Sequence, residues 1–223
     1  VLLLLFRVGK FPNLAGCHFV GNAKFDELTY NASLQYQPTD GVMVYLAHRH
    51  GYRTGGFGAR GNSQATLGDT FSPEKVDDLE LGIKADWDLG DTFVRTNLAA
   101  YSAKYKDMQR ILLLNPPGSA PVTLTTNAGR AKIQGIEFEA IIRPSPVFEL
   151  SGFYTFTDAK FQEYVGPNGD DLSGQIFPRA PRHSYSLTAS LMPPIDPSKG
   201  DIRLSVTYRY QSKYDYNDDY ALE

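Results

Sequence analysis

The sequence predicts an all-β protein whose antiparallel strands, about eight in number, run up and down along the chain. Apolar and polar residues alternate over stretches of about ten residues, and turn sequences separate these stretches. No apolar run reaches the roughly 18 residues that a membrane-spanning helix requires, which excludes a helical membrane protein. Because 42% of the 223 residues are hydrophobic and 13% are aromatic, the chain is expected to fold rather than stay disordered.

The first predicted hairpin covers residues 28–51. Apolar residues occupy the even positions from Leu28 to Tyr36 and polar residues occupy the odd positions between them, which is the two-residue period of a strand. Pro38 and Gly41 lie in a turn sequence, where proline fixes one backbone angle and glycine accepts an angle that strains other residues. A second alternating stretch then returns antiparallel to the first.

Residues 71–87 allow two interpretations. Ser72 and Pro73 resemble the start of a helix, since serine caps free backbone amides and proline suits the first helical turn. However, apolar residues alternate strictly with polar ones from Leu79 to Trp87, and this is the period of a strand. Because the stretch lies between predicted hairpins, we expect it to be a strand.

The remaining sequence repeats this pattern. Predicted strands cover residues 92–114, 122–143, 148–159, 183–191 and 201–211. Short turn sequences at 88–91, 143–146 and 192–200 alternate with long connections around 51–74, 112–128 and 161–180. One end of the sheet is therefore expected to carry tight turns and the opposite end long loops.

Alternation alone leaves two kinds of all-β protein open: a membrane barrel with its apolar face toward lipid, and a soluble barrel or sandwich that binds an apolar ligand inside. Three features favour the membrane barrel. Strands of about ten or more residues suit a tilted bilayer crossing, and the turn asymmetry matches short periplasmic turns and long outer loops. Aromatic residues also gather near strand ends, as a girdle at the membrane interface requires: Tyr30, Tyr36, Tyr101, Tyr105, Tyr208 and Tyr210.

Several short motifs occur in a fixed order along the chain. A glycine-rich loop after His50 precedes Pro-Glu and Glu-x-Gly-x-Lys, and these are followed by Tyr-x-Asp-x-Gln, by an Asn and a Gly, and by Gly-x-Glu. The motif residues are Pro73, Glu74, Glu80, Gly82, Lys84, Tyr105, Asp107, Gln109, Asn127, Gly129, Gly135 and Glu137. From about Leu28 to the end, the chain resembles the C-terminal barrel strands of TonB-dependent outer-membrane receptors.

The resemblance implies up-and-down transmembrane strands of a barrel of about 22 strands, plugged by an N-terminal domain, in the outer membrane of a Gram-negative bacterium. It also implies a receptor, not an enzyme, that imports a scarce ligand such as a siderophore, vitamin or glycan. The expected partners are outer-membrane lipid, the small-molecule ligand and, through the plug domain, the TonB complex.

The same resemblance implies that the chain is a fragment of a larger barrel. No plug domain, TonB-contacting segment or closing aromatic residue is recognisable in the sequence. We expect a poorly matched N-terminal segment at residues 1–24 and barrel strands at residues 25–223.

Charge and cysteine content exclude several other classes of protein. The net charge of −3, from 22 basic and 25 acidic residues, provides no basic surface for a nucleic-acid partner. Cys17 is the one cysteine in the sequence, so neither an internal disulfide nor a cysteine-rich metal site is expected. We expect no cofactor, no metal and no catalytic residue.

Three short patterns are expected to be coincidental. Gly56, Gly58 and Gly61 have the spacing of a dinucleotide-binding loop, but no amphipathic helix follows them to hold phosphate. His48 and His50 share one strand face without a third metal ligand at a supporting spacing. The serine residues lack the Gly-x-Ser-x-Gly context of a hydrolase.

Glu137 and Glu139 offer a separate alternative function, because two carboxylates on one strand face could serve a β-rich hydrolase as acid and base. Such chemistry needs a substrate cleft and two different carboxyl pKa values. Lining the polar interior of a barrel is the simpler role for both residues.

The long loops supply the candidate ligand-binding residues, because binding residues collect on loops that a rigid scaffold holds in place. We expect these contacts from two loops, and we choose the residues by position and side-chain type. They are Tyr52, Arg53, Phe57 and Arg60 in the first loop and Asn168, Asp170 and Asp171 in the second.

Overall fold

The structure is a computed structural model that describes residues 2–7, 20–58, 70–114, 121–127, 129–166, 169–196, 198 and 200–216. This part of the chain consists of antiparallel strands and their connections. It contains no α-helix, and hence no helix with the length and hydropathy for crossing a membrane.

Eight strands form the main sheet. They are β3 (Tyr30–Thr39), β4 (Val42–Arg53), β7 (Glu74–Leu89), β8 (Thr92–Lys106), β11 (Gly129–Ser145), β12 (Phe148–Tyr164), β13 (His183–Leu191) and β14 (Leu204–Gln211). The described residues also form three strand pairs outside this sheet. These are β1 (Leu2–Arg7) with β2 (Val20–Phe25), β5 (Gly56–Phe57) with β6 (Thr70–Phe71), and β9 (Gln109–Leu114) with β10 (Val122–Asn127).

The strands of the main sheet follow each other in space in the order in which they follow each other along the chain. All neighbours are antiparallel, from β3 at one edge to β14 at the other. The predicted up-and-down sheet of about eight strands is therefore confirmed. The predicted division at residue 24 falls inside β2 and stays a prediction.

The ambiguous stretch at 71–87 forms most of β7, as predicted. Its backbone pairs with β4 on one side and β8 on the other, so that Leu81 lies between Leu46 and Ala100. Pairing on both sides satisfies the backbone donors and acceptors that a helix would have satisfied internally. The serine and proline at 72–73 precede the strand as part of a connection.

The predicted strands at 92–114 and 122–143 are each interrupted, which corrects the sequence-based boundaries. β8 ends at Lys106, Asp107 takes a left-handed backbone conformation with φ of 53°, and pairing resumes where Gln109 faces Asn127. On the partner strand Gly129 has φ of 112°, and a Cβ atom there would approach the Glu163 carbonyl closer than 3.0 Å. Only glycine fits this position without strain, because its backbone reaches positive φ freely.

The main sheet has an apolar face and a polar face, because directly opposed residues of an antiparallel pair project to the same side. The apolar face is exposed across the whole sheet: Leu34 at one edge is 72% exposed, Leu187 is 49% exposed and Val206 at the other edge is 76% exposed. These residues do not converge in a dry interior, as a soluble barrel that binds an apolar ligand would require.

The polar face carries the buried cluster of the described residues, near the long loops. Met108, Ala131, Phe161 and Tyr164 are buried there and are packed by Tyr105, Leu172 and Phe177. The connection after β12 contributes to this cluster because it folds back along β12. Backbone amides of Leu172 and Phe177 donate to the carbonyls of Tyr164 and Ala159 at 2.8 and 3.0 Å.

Of the six tyrosines predicted for an aromatic girdle, four lie on the apolar face, as a girdle requires, and two do not. Tyr30, Tyr36, Tyr208 and Tyr210 lie exposed on the apolar face. Tyr101 and Tyr105 instead face Gly135 and Ala131 on the polar face. Nearness to a strand end does not determine the face on which a side chain lies; odd or even position along the strand does.

A lysine placed on the apolar face tests whether this face meets lipid. We expect Phe138→Lys in β11 to lower the free energy of unfolding in a phospholipid bilayer by about 2–4 kcal/mol, because an ammonium group at mid-membrane depth loses its hydration. Glu137→Lys, one residue away on the polar face, should change it by less than about 0.5 kcal/mol. Denaturant unfolding of the intact protein in vesicles measures both, and equal effects would contradict a lipid-facing surface.

Candidate functional site

The two ends of the sheet differ in their connections, as predicted, except that the connection between β13 and β14, predicted to be a short turn at 192–200, spans residues 192–203. Tight connections join β3 to β4, β7 to β8 and β11 to β12, each with two residues between the strands. At the opposite end, long connections leave β4, β8 and β12. The buried cluster and the predicted ligand-binding residues belong to this long-loop end, which is the candidate functional site.

Gln109 fastens two long connections at their bases. It is 7% exposed, and its side-chain amide donates to the carbonyls of Thr54 and Ser72 at 2.8 and 3.0 Å. Its backbone amide donates to the Glu74 carboxylate at 2.7 Å. Gln109 therefore joins the connection after β4, the start of β7 and the start of β9.

Asn127 makes the corresponding contacts from β10. Its side-chain amide donates to the carbonyls of Ser72 and Asp107 at 2.9 and 2.7 Å, and its side-chain oxygen accepts the Ser72 amide at 2.7 Å. We call Glu74, Gln109 and Asn127 the rim clamp. All three are motif residues of the resemblance, and their contacts show that they hold the loop bases together.

Below the rim clamp, the polar face is lined by charged groups that neutralise each other. The Arg49 guanidinium donates to the carboxylates of Asp78, at 2.6 Å, and Glu80. The Tyr45 hydroxyl donates to the same Glu80 carboxylate at 2.7 Å. Tyr45, Arg49, Asp78 and Glu80 thus form a connected patch across β4 and β7.

Two tyrosine rings on this face lie against glycines of the neighbouring strand. Tyr45 faces Gly82, and Tyr101 faces Gly135. A Cβ atom on Gly82 would overlap the Tyr45 ring, and one on Gly135 would approach the Tyr101 hydroxyl at 2.6 Å. Both glycines of the motifs are therefore required for close packing, since no side chain fits beneath the ring.

Glu137 and Glu139 lie on the polar face, where interior lining was predicted. Glu139 accepts a hydrogen bond from the Asn97 amide at 3.2 Å. Together with Tyr45 and Lys84, the two carboxylates line a shallow, open depression. Their surroundings combine amide, ammonium and hydroxyl groups, as polar lining would.

The structure shows where the histidine pair and part of the glycine pattern, both expected to be coincidental, lie in the sheet. His48 and His50 lie on the apolar face beside Tyr30, and His50 contacts the Asp77 carboxylate at 2.7 Å. No group of three metal-ligating side chains occurs within the described ranges. Of the glycine pattern, Gly56 belongs to β5, whereas Gly61 lies outside the described residues.

The first set of predicted ligand-binding residues lies at the long-loop end of β4 and just beyond it. Arg53 faces Glu74 on the polar side of the sheet, whereas Tyr52 faces Lys75 on the apolar side. Phe57 ends β5, and Arg60 lies outside the described residues.

The second set belongs to the connection after β12. Asp170 accepts the Gly166 amide through its backbone carbonyl at 2.8 Å. The Asp171 carboxylate accepts the Ser173 hydroxyl and backbone amide, and these bonds lower the pKa of Asp171. Asn168 lies outside the described residues. The structure does not join this set to the first, because β4 and β12 are four positions apart in the sheet, about 19 Å at the usual strand spacing.

Sequence reasoning missed the rim clamp as a functional feature. The residues were visible as motif positions, but Gln109 and Thr54 are 55 positions apart in the sequence. No periodicity or turn signal reports a contact over that distance. The available signal was the presence of two side-chain amides among the motif residues, at Gln109 and Asn127, because side-chain amides can supply the donors that free backbone carbonyls need.

Removing the side chain of Gln109 tests the rim clamp. We expect Gln109→Ala to destabilise the loop bases by about 1–3 kcal/mol, because two part-buried carbonyls lose their donor. Hydrogen exchange of amides at residues 54–57 and 70–74 should become faster. Gln35→Ala on exposed β3, whose side chain makes no hydrogen bond with the described residues, is the control. Unchanged exchange in Gln109→Ala would contradict the role of the clamp.

The chain is similar to several known proteins. Over 191 residues it is 24% identical to the probable TonB-dependent receptor BfrD of Bordetella pertussis, an alignment that covers 83% of this chain and 24% of the relative. The structure resembles the ferric yersiniabactin uptake receptor FyuA of Yersinia pestis, with a TM-score of 0.66 and 22% identity over 91% of this chain and 28% of that one. It also resembles BauA, the ferric preacinetobactin receptor of Acinetobacter baumannii, with a TM-score of 0.64 and 21% identity over 89% of this chain and 28% of that one.

These likenesses show the fold of a barrel segment, and the chain spans less than a third of the length of each protein named. The family model described as TonB dependent receptor-like, beta-barrel matches residues 7–222. Because this match covers nearly the whole chain, the protein belongs to the TonB-dependent receptor-like β-barrel family.

Proposed function

We propose that this chain forms strands of an outer-membrane receptor that binds a scarce ligand and imports it without covalent chemistry. Barrels of this family are outer-membrane proteins of Gram-negative bacteria, and they are receptors and transporters. The observation that carries the proposal is the exposed apolar face, which continues across all eight strands of the main sheet.

The strand lengths support a membrane crossing. β7, β8, β11 and β12 contain 16, 15, 17 and 17 residues. At about 3.3 Å per residue and a tilt of about 40°, such strands rise about 40 Å, more than the roughly 30 Å of a hydrocarbon core. The excess projects at one end of the sheet, and we assign the long loops to the outer surface.

We propose that residues 25–223 are barrel strands from the C-terminal part of the receptor and that residues 1–24 form a distinct segment. The connected patch that contains Arg49, Asp78 and Glu80 would then line the interior of the barrel, where a plug domain could pack against it. Through such a plug the receptor would contact the TonB complex and obtain the energy for import.

A ferric siderophore is the first ligand class to test, ahead of vitamins and glycans. FyuA is named as a ferric yersiniabactin uptake receptor, BauA as a ferric preacinetobactin receptor, and a further structural neighbour, FauA of Bordetella pertussis, as an alcaligin receptor. Such names support a ligand class to try first, since identities below 25% do not transfer a ligand.

All seven predicted residues remain proposed ligand contacts, and their positions rank them. Arg53 comes first among the described ones because it lies on the polar side at the mouth. Tyr52 ranks lower because it lies on the apolar face of the sheet. Asp171 ranks lower as well, since its carboxylate is engaged by Ser173.

We expect Arg53→Ala in the intact receptor to weaken binding of the ferric siderophore about tenfold, because the variant loses one charge-assisted hydrogen bond to the ligand. Arg209→Ala, an exposed arginine of the polar face on β14, is the matched control and should bind as the wild type does. Fluorescence quenching with the purified receptor measures the affinity. Equal affinities for the wild type and Arg53→Ala would remove Arg53 from the site.

Import itself is tested with cells that express the intact receptor. Uptake of the iron-labelled siderophore should stop when the TonB complex is deleted, whereas binding to the cell surface should persist. Uptake that continues at the wild-type rate without the TonB complex would contradict the proposed mechanism.

A further inference from the structure

One row of the apolar face, taken across neighbouring strands, is basic. In β8, β11 and β12, Lys104 faces Lys132 and Lys132 faces Lys160. Lys106 lies two residues further along β8 on the same face, toward the long loops. We call Lys104, Lys106, Lys132 and Lys160 the basic belt.

The lysine ammonium groups of the basic belt repel each other. Directly opposed residues of neighbouring strands have Cβ atoms about 5 Å apart, and like charges at this distance are destabilising. Lys106 also faces a further lysine, Lys75 of β7. The fold therefore concentrates positive charge in a region of the apolar face that spans four strands.

The carboxylates of this face neutralise only part of the belt. Asp158 pairs with the belt residue Lys160 at 3.1 Å. Asp77 lies opposite Lys104 in the register, but its carboxylate contacts His50 at 2.7 Å. Glu27 pairs with Lys75, and Glu163 pairs with Arg130 at 2.6 Å. Within the part of the chain that the structure describes, Lys104, Lys106 and Lys132 form no ion pair.

Below the belt, toward the short turns, the same face becomes apolar. Ser102 and Gln134 form an intermediate polar row, and the next row contains Leu81, Ala100 and Ile136. Two rows correspond to four residues along a strand. In a tilted strand, the backbone of the lysine row therefore lies about 10 Å from the row of Leu81, measured along the membrane normal. The belt thus stands at the depth of lipid headgroups, on the side of the long loops.

We propose that the basic belt binds the phosphate groups of a phosphorylated lipid in the outer leaflet, whose acyl chains lie against the apolar rows below. Lysine ammonium groups without a carboxylate partner complement phosphate, and an adjacent apolar surface complements acyl chains. A free anion would use only the first of these features. The inference rests on the proposed outer-membrane location and is independent of which ligand the receptor imports.

The test uses the intact receptor, purified in a non-ionic detergent and titrated with lipid A, a glycolipid that carries two phosphates. Lys104→Gln combined with Lys132→Gln should weaken lipid A binding about tenfold or more, as expected for two lysines near a phosphate-bearing surface. The wild type should bind dephosphorylated lipid A as weakly as this variant binds lipid A. Native mass spectrometry counts the bound lipid in each case.

Two further variants make the result specific. Lys84→Gln combined with Lys213→Gln removes the same charge away from the belt, because Lys84 lies on the polar face and Lys213 follows β14; it should retain wild-type binding. Lys104→Arg combined with Lys132→Arg keeps the charge and should also retain binding. A Gln variant that merely misfolds would lose siderophore binding as well, so lipid affinity is compared in variants that keep it.

Three results would overturn the proposal: unchanged lipid A affinity in the belt variant, equal loss in the control variant, or complete displacement of lipid A by the same concentration of inorganic phosphate. The last result would identify a site for a free anion. If no siderophore is bound or imported by the wild type while lipid A binding still depends on the belt, the proposed ligand fails and the belt stands. In that case the midpoint of thermal unfolding, measured without lipid A, replaces siderophore binding as the measure of folding.

Discussion

The register of the antiparallel pairing is the constraint on which the other features of this structure depend. Side chains alternate between faces, so a shift of one residue in any strand would exchange its apolar and polar sides. The observed register aligns Leu46, Leu81 and Ala100 across three strands and continues in this way to β14. In a bilayer the same pairing satisfies backbone donors and acceptors that water cannot reach. One geometric condition therefore provides both the lipid-facing surface and the internal hydrogen bonding.

The polar face divides into regions with different tasks. In its middle, ion pairs such as Arg49 with Asp78 and hydroxyl contacts such as Tyr45 with Glu80 compensate charges inside the wall. At the mouth, the rim clamp holds the bases of two long connections with side-chain amides. The outer parts of those connections can therefore vary in sequence without loosening the strands beneath them, which suits a fold that recognises different ligands.

The sequence predicted the existence, direction and face of the strands of the main sheet because these follow from a local period of two residues. It predicted strand ends less well: the break at Asp107 depends on one left-handed residue opposite Gly129, and neither is marked by periodicity. Tyr101 was assigned to the wrong face, although parity alone would have corrected this. Contacts such as Gln109 with Thr54 were beyond sequence reasoning, since they depend on how distant strand ends meet.

Along β12, the pairing with the neighbouring chain is continuous in one half and scattered in the other. β13 begins only at His183, so the outer half of β12 is bordered by irregular chain that holds it through scattered backbone bonds, such as Gly174 to Phe161. A continuous ladder must break as a unit, whereas scattered bonds can release in small groups at lower free energy. The seam between this connection and β12 is therefore expected to separate at a lower free energy than the continuous strand pairings of the main sheet.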